Sequence, residues 1–466
     1  MSTDDDKLLR LITSLWASAI LFSLFAVPEW FDYVFLVQEI PAFVEIGLSF
    51  VALFALFRPT RPNFILLLVA QIGEVCFSMP SVPNHRTAMT FVSVGFLVSY
   101  LLAAKREKRF DLHSKVFFDD AIRVARMSLL IVYFFAAFAK MNAAYLDPSL
   151  SCAVRFYANV VKWFPFIPEG KAFNYLSIYG PLVVEILIPF GLLSKRFRKH
   201  SILLGIAFHF VLALDLDKRF LNFSMVMSAL YFLFLSPTYL KNVEEKWREK
   251  YLQYLPHAFF IIYVVGFLQS QTLNLRILTI IAEQILWTMF IAGFVIAVYK
   301  SPSGRDDFKG EGEHAKSYPL LRYLLYLLLF INGSSPYLGT KTRTSFNMYS
   351  NLRLEPDYSN HHFWPRSLDL FGNLSKPVKV IRLLPEKLHS SELKDGMLLT
   401  HFELSRFVAL YHDKIESLEF EYEGRTHLVE SNSPEMQDLQ RSYPWFQRKF
   451  LIYRPLGKDV TNECIW

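Results

Sequence analysis

The chain has 466 residues, of which 53% are hydrophobic and 20% charged, with 45 phenylalanines, a net charge of +7 and a mean hydropathy of +0.27. Soluble proteins carry about 45–50% apolar and about 25% charged residues, so these values exclude a disordered chain, a coiled coil and a collagen-like chain, and they argue against one soluble globule. From residue 334 onward the 17 basic and 17 acidic residues balance. The excess positive charge therefore lies in residues 1–333, in short clusters between apolar runs, which orients membrane helices and offers no basic face to nucleic acid.

A bilayer crossing takes about 20 apolar residues. On that measure about eleven spans are expected, near 8–27, 38–57, 63–80, 87–104, 126–140, 174–194, 201–215, 222–237, 255–271, 277–299 and 318–333. The first, Leu8 to Val27, follows an acidic start without a small-residue cleavage site and reads as a span, not a removable leader. The amino terminus and the loops after even-numbered spans hold 23 Lys and Arg, including KREKRF (105–110), SKRFRK (194–199) and KNVEEKWREK (241–250). The opposite loops hold eight. The positive-inside rule then puts the amino terminus in the cytoplasm and residues 334–466 on the outer, periplasmic or lumenal side. Residues 300–316 read as a flexible inner loop. The fold class expected is an all-α polytopic membrane bundle with a small carboxyl-terminal α+β extramembrane domain. Its divisions are 1–254, a transmembrane domain, 255–333, additional transmembrane helices, and 334–466.

In the tail, VKVIRLL (378–384) and ESLEFEYEGRTHLVE (416–430) have strand composition, the latter with Glu-Gly at a hairpin turn. GMLLTHFELSRFVALYH (396–412) has helical spacing, and FQRKFLIYRP (446–455) reads as a further strand. Cys76, Cys152 and Cys464 are too few for a disulfide framework and lack metal-site spacing. The pair His361–His362 has no third ligand at convincing spacing, so no metal is expected.

Ionisable residues inside spans are costly and mark function. They are Glu39, Glu45, Glu74, Lys140, Glu185, His209 and Glu283. Paired or interfacial side chains are the structural alternative for each. Two residues stand out. His85, in SVPNHRT, and Lys140, ending IVYFFAAFAK, fall on the same outer side. An amine at the end of an apolar helix loses solvation, which favours its neutral, basic form. A nearby imidazole can donate to or accept from a reacting group.

Three stretches carry a family resemblance. VYFFAAFAKMNAAYL looks like the Y-F-x-A-G-x-K-K-L-D-A-D-W motif of vitamin K-dependent gamma-carboxylases. FHF, followed after an insertion by LNFSMVMSALYFLFLSP, is similar to that family's F-H-x-x-N-S-x-x-F-S-I-G-M-F segment. PNHRTAM (83–89) resembles N-N-H-S-Y-L. The order and spacing match over roughly residues 8–240, with a loose similarity at SFNMYSNLR (345–353). The broader group is the HTTM, or horizontally transferred transmembrane, domain.

The resemblance implies a membrane enzyme acting on reduced vitamin K or a similar quinol. Carbon dioxide and oxygen are the co-substrates, so the activity is of carbon–carbon lyase or quinol epoxidase type. Lys140 matches the family's base, which deprotonates the quinol, and His85 matches the histidine that assists it. His209 matches a histidine of the later motif, with Asn142, Tyr145, Glu74 and Glu185 as supporting residues. Asn142 and Tyr145 stand where the family has aspartate and tryptophan, and Ala139 where it has a second lysine. The tail of about 130 residues is shorter than the family's propeptide-gripping domain, so the partners implied are membrane lipid, the quinol and an external peptide or protein substrate. A non-catalytic binding or scaffold protein is the alternative. A transporter with a proton path through Glu45, Glu74 and Glu185 is a third class, against which the missing inverted repeat argues.

Overall fold

The structure, a computed structural model, describes residues 4–25, 40–108, 115–215, 220–271, 276–301, 319–388, 393–456 and 464. Glu39 and residues 302–316 of the expected inner loop lie outside these. Two compact units form: Met1–Ser78, His85–Phe134 and Phe156–Leu329 in one, Met79–Asn84, Phe135–Arg155 and Phe330–Trp466 in the other. The second unit thus takes up two short segments of the amino-terminal half, one of them carrying Lys140, as well as the tail.

Fourteen α-helices precede the sheet among the described residues. They are α1 Asp4–Phe25, α2 Ile40–Phe57, α3 Arg61–Ser78, α4 Asn84–Glu107, α5 Lys115–Ala139, α6 Ala143–Leu146, α7 Cys152–Trp163 and α8 Lys171–Leu193. After them come α9 Arg198–Leu212, α10 Leu221–Phe232, α11 Pro237–Trp247, α12 Leu255–Gln271, α13 Arg276–Lys300 and α14 Pro319–Leu338. Every apolar run of the sequence carries a helix, but the expected eleven spans are not all long enough. Among the described residues five helices can cross a membrane by length and composition: Asp6–Phe25, Asn84–Arg106, Phe117–Ala139, Lys171–Leu193 and Leu278–Lys300. A sixth results if Pro237–Leu252 and Leu255–Leu268, bent by 44°, count as one. At 1.5 Å per residue, a helix such as Leu221–Phe232 reaches only about 18 Å, short of the roughly 30 Å hydrocarbon core.

In the first unit α1 is the hub, packed against α2, α10 and α11. It is apolar all round, and a helix of that kind is stable where it is enclosed. Its apolar window is 94% buried, against 22% for α8 and 28% for α13. Trp16 donates its indole N–H to Ser93 Oγ at 3.0 Å. Phe22 meets Phe259, Trp287 and Phe290 edge-on. The outer helices show the reverse of soluble patterning. On α2 the exposed residues include Phe43, Phe50, Phe54 and Phe57, while Glu45, Ser49 and Ala52 face inward. Small and polar residues at helix interfaces with large apolar ones outside is how helices pack in lipid.

In the second unit β1 (Pro377–Leu384), β2 (Leu398–Thr400), β3 (Ser417–Tyr422) and β4 (Arg425–Glu430) form an antiparallel sheet of order β2-β1-β3-β4. Val378 and Val380 of β1, Leu383 beyond a register shift after Val380, and Leu418 and Phe420 of β3 point into a core completed by Leu404, Phe407 and Val408 of α15 (His401–Tyr411) and by Met436 and Leu439 of α16 (Pro434–Arg441). The expected hairpin is present: Glu423 and Gly424 both have positive φ, as a two-residue turn matched to the strand twist requires. The run 396–412 divides into β2 and α15, with Thr400 Oγ1 accepting from Glu403 N to start the helix. The strand expected at 446–455 is instead the short helix α17, Trp445–Phe450, followed by chain without regular secondary structure. Pro444, with φ −61° and ψ 146°, is the extended N-cap residue before it.

Cys152 and Cys464 form a single disulfide across 312 residues, a pairing that the sequence reading did not foresee. Cys76 lies outside that bond and presents an exposed thiol.

Candidate functional site

The ionisable groups flagged in the sequence gather in three places, two in the first unit and one in the second.

The first is an ion cluster between α2, α3 and α4. Arg86, in the first turn of α4, donates from Nη1 to Glu45 Oε1 at 2.7 Å and to Glu74 Oε1 at 3.0 Å. All three residues are buried. A cation at a helix amino terminus meets the positive end of the helix dipole, and α4 has no acidic residue in its own first turn. The two carboxylates come from neighbouring helices and supply the missing charge. Arg86 Nε also donates to Ser23 Oγ at 3.3 Å, and that hydroxyl lies 3.1 Å from His85 Nε2. His85 is therefore tied to the arginine through one hydroxyl. Sequence reasoning counted Arg86 only as a loop charge and missed it as the partner of both glutamates.

The second place lies among α5, α9 and α10. His209, in the last turn of α9, is fully enclosed. Its Nε2 lies 2.8 Å from Tyr133 Oη on α5, and that hydroxyl is in turn hydrogen-bonded to Tyr231 Oη on α10. Glu185, buried on α8, is within electrostatic range of both phenols. The approach of Tyr231 depends on Gly205, one turn before His209, because a Cβ there would collide with the tyrosine ring. Gly205→Ala is expected to destabilise the protein by about 1–3 kcal/mol, the cost of overpacking a full core. Thermal unfolding in detergent measures this, and an unchanged midpoint would mean that the ring is not held there. Neither tyrosine was flagged from the sequence, since a lone tyrosine in an apolar run carries no signal.

The third place is the Lys140 segment of the second unit. Lys140 follows the end of α5 and is 7% exposed, with Nζ donating back to Ala136 O at 3.3 Å. Asn142, 0% exposed, organises the turn that follows. Its Nδ2 donates to Ala139 O at 2.8 Å and to Ser350 O at 2.6 Å, and its Oδ1 caps α6 by accepting from Tyr145 N at 2.9 Å. Tyr145 is buried directly behind it. The loop that Asn142 holds is unusual: Thr344, Phe346, Tyr349 and Asn351 all have positive φ. Such residues cost about 1–3 kcal/mol each and persist where their surroundings fix them. Cys152 N donates to Asn351 Oδ1 at 2.9 Å, a second tie to that loop.

His361 has both ring nitrogens occupied. Phe363 N can only donate, so it fixes Nδ1 as acceptor at 3.1 Å and Nε2–H as donor to Phe138 O at 2.9 Å. Burial holds this imidazole below its ordinary range, so it stays neutral. Among the described residues no group of three or more His, Cys, Asp or Glu is placed to hold a metal. A second, partly buried amine escaped the sequence reading: Lys341 donates to Asn332 Oδ1, Thr344 O and Thr344 Oγ1 at 2.6–3.3 Å, and desolvation pushes its ammonium down to about 8.

His85 and Lys140, expected together, belong to different units, as do Lys140 and His209. Glu283 is buried on α13, away from these three groups in the chain. No protein-family model matches the chain, and no curated protein and no solved structure matches it.

Proposed function

We propose that this chain is an integral membrane protein and, within that class, a quinol-dependent enzyme of carboxylase or oxygenase type. The membrane reading is carried by the inverted patterning of the outer helices. Four phenylalanines of α2 face outward while Glu45 and Ser49 face inward, an arrangement that is unfavourable in water and ordinary in lipid. The enzyme reading adds Lys140, a buried amine at the end of a helix able to cross the bilayer. It takes the role of general base that the family resemblance gives it, accepting a proton from the quinol hydroxyl. The three-group clustering of buried ionisable side chains supports chemistry over a purely lipid-anchoring role, since such groups at membrane depth are retained for function. The activity is tested by turnover of a reduced quinone in proteoliposomes, comparing wild type with Lys140 variants.

The amino terminus faces the cytoplasm and the sheet-bearing unit the outer side. The charge distribution of the loops supports this, and the Cys152–Cys464 disulfide agrees, because such bonds persist in oxidising compartments. In a Cys76→Ser background, an impermeant thiol reagent added from outside should label nothing before reduction and two cysteines after it. Labelling of both without reduction, or from the cytoplasmic side alone, would reverse the assignment.

A further inference from the structure

The turn between α8 and α9 gathers basic side chains at one end of the first unit. A Cβ on Gly191 would collide with Ser201, so glycine lets the two helices close on each other. The first turn of α9 then clamps two helix ends. Arg198 Nε donates to Leu192 O of α8 at 3.0 Å. Lys199 Nζ donates to Tyr299 O and Ser301 O at 2.7 and 3.1 Å, on either side of Lys300, the last residue of α13. Around this clamp Lys195, Arg196 and Lys300 are exposed. So are Phe190, Leu193, Phe197, Ile296 and Tyr299 of the same helix ends and turn, at 50–72%. Cations in the first turn of a helix meet the positive end of its dipole, and α9 has neither an acidic residue there nor a side-chain cap. Arg86 has Glu45 and Glu74 in that situation, but residues 186–214 and 284–305 contain no Asp or Glu. α11 also packs here, Tyr239 Oη donating to Ala297 O at 2.6 Å, and its acidic residues are engaged elsewhere: Glu244 by Arg10 and Arg248, Glu245 by Lys7. This end of the unit therefore combines excess positive charge with an exposed apolar collar.

We propose that Lys195, Arg196 and Lys300 hold the phosphate headgroup of an anionic phospholipid, with its acyl chains along Phe190, Leu193 and Ile296. The proposal rests on the reading of the chain as an integral membrane protein and is independent of the quinol chemistry. Two observations favour a lipid over a soluble anion. First, α8 and α13 are long and apolar enough to cross a membrane and are the least enclosed of the five such helices, at 22% and 28% buried. Their flanks face lipid, and the cluster sits where both spans end, at headgroup depth. Second, the apolar collar gives an acyl chain a surface to cover, which a free phosphate does not use. Basic residues just beyond a span attract anionic lipids, and basic pockets between helices hold phosphate-bearing headgroups. The clamp makes this more than a charged loop. By fixing α9 to the ends of α8 and α13, it sets Lys195 and Arg196 on one side of Lys199 and Lys300 on the other. Arg196 lies 5.6 Å from the Phe197 ring centroid and Lys199 lies 5.5 Å from that of Tyr299, contacts that hold cationic heads level with the collar. The guanidinium of Arg196 can then offer two parallel donors to one phosphate.

The test uses the full chain in dodecyl maltoside, with native mass spectrometry counting bound lipid as dioleoyl phosphatidic acid or dioleoyl phosphatidylcholine is added. Each basic residue at such a surface is worth about 5-fold in affinity, so three give wild type a preference for the anionic lipid of roughly 10²-fold. The preference should shrink as ammonium acetate is raised, because salt screens exposed charge. The triple variant Lys195→Gln, Arg196→Gln, Lys300→Gln should bind the two lipids within about 3-fold of each other. All three positions are exposed, so its thermal midpoint should match that of wild type. The variant Arg58→Gln, Lys246→Gln, Lys250→Gln removes the same charge from other exposed positions and should keep the preference. An equal loss in both triple variants would assign the effect to net charge and overturn the site. Displacement of phosphatidic acid by an equal concentration of glycerol 3-phosphate or inorganic phosphate would make the occupant a soluble anion and overturn the lipid assignment. Folded wild type that floats with phosphatidylcholine liposomes but shows no anionic preference removes this site and leaves the membrane reading. Wild type that does not float with liposomes once detergent is removed takes the membrane reading with it.

Discussion

Lys140→Ala is expected to reduce turnover of a reduced quinone by about 10²–10⁴-fold, the usual contribution of a general base. Lys140→Arg is the sharper variant. It keeps the positive charge and much of the length, but a guanidinium is not deprotonated in proteins and has no lone pair to offer. A base role therefore predicts that Arg fails as completely as Ala. A charge or packing role predicts that Arg restores most of the function. Folding has to be checked alongside, since Lys140 is buried and bonded to Ala136 O. Lys140→Met, which fills the same volume without charge, separates loss of chemistry from loss of structure. Full activity in Lys140→Arg would end the base assignment.

The helices and the ionisable residues inside them were readable from the sequence because both are local signals. An apolar run long enough to be buried is helical wherever it is buried, and a lone Glu45, Glu74 or His209 within such a run is visible without knowing its neighbours. The number of spans was less readable. Hydropathy windows merge a helix with its apolar flanks, so the stretch 222–237 reads as a span although its helix ends at Phe232. Partners were invisible, since pairing is set by packing and not by spacing. Arg86 sits among loop residues and counted as a topology marker, yet it bridges two helices 41 and 12 residues away in sequence. The Cys152–Cys464 bond spans most of the chain and leaves no motif. Tyr133 and Tyr231 look like the ordinary aromatic content of a chain with 45 phenylalanines and 23 tyrosines. In the second unit the alternation of β1 and β3 and the Glu423–Gly424 turn were legible. The misread strand at 446–455 shows the limit, because the apolar run FLIY has strand composition and no capping side chain marks the short helix before it.

Arg86→Met is expected to be the most destabilising single change outside the Lys140 segment, by about 3–5 kcal/mol. The arginine is 8% exposed, and its removal leaves two buried carboxylates, Glu45 and Glu74, facing each other and the freed end of α4. The helix dipole offsets part of that charge, worth at most about 2 kcal/mol in a partly buried site, and cannot replace the ion pair. Arg86→Lys should fall between, since a single ammonium cannot reach Glu45, Glu74 and Ser23 with the fixed fork that the guanidinium provides. Glu45→Gln and Glu74→Gln should each cost less than Arg86→Met, because one carboxylate still pairs with the arginine. The decisive variant is the triple replacement Glu45→Gln, Glu74→Gln, Arg86→Met. It removes all three charges together, and neutral replacement of a buried ion cluster is often close to neutral in stability. Unfolding of the detergent-solubilised protein should therefore show the triple variant more stable than Arg86→Met alone. The same variant also bears on function. If Glu45 and Glu74 form a proton path, proton flux through the reconstituted protein disappears in it. If the cluster only fastens α2, α3 and α4 together, quinone turnover survives once stability is restored. A triple variant no more stable than Arg86→Met would show that the cost of losing the arginine is not uncompensated carboxylate charge, and the electrostatic account of this cluster would fall.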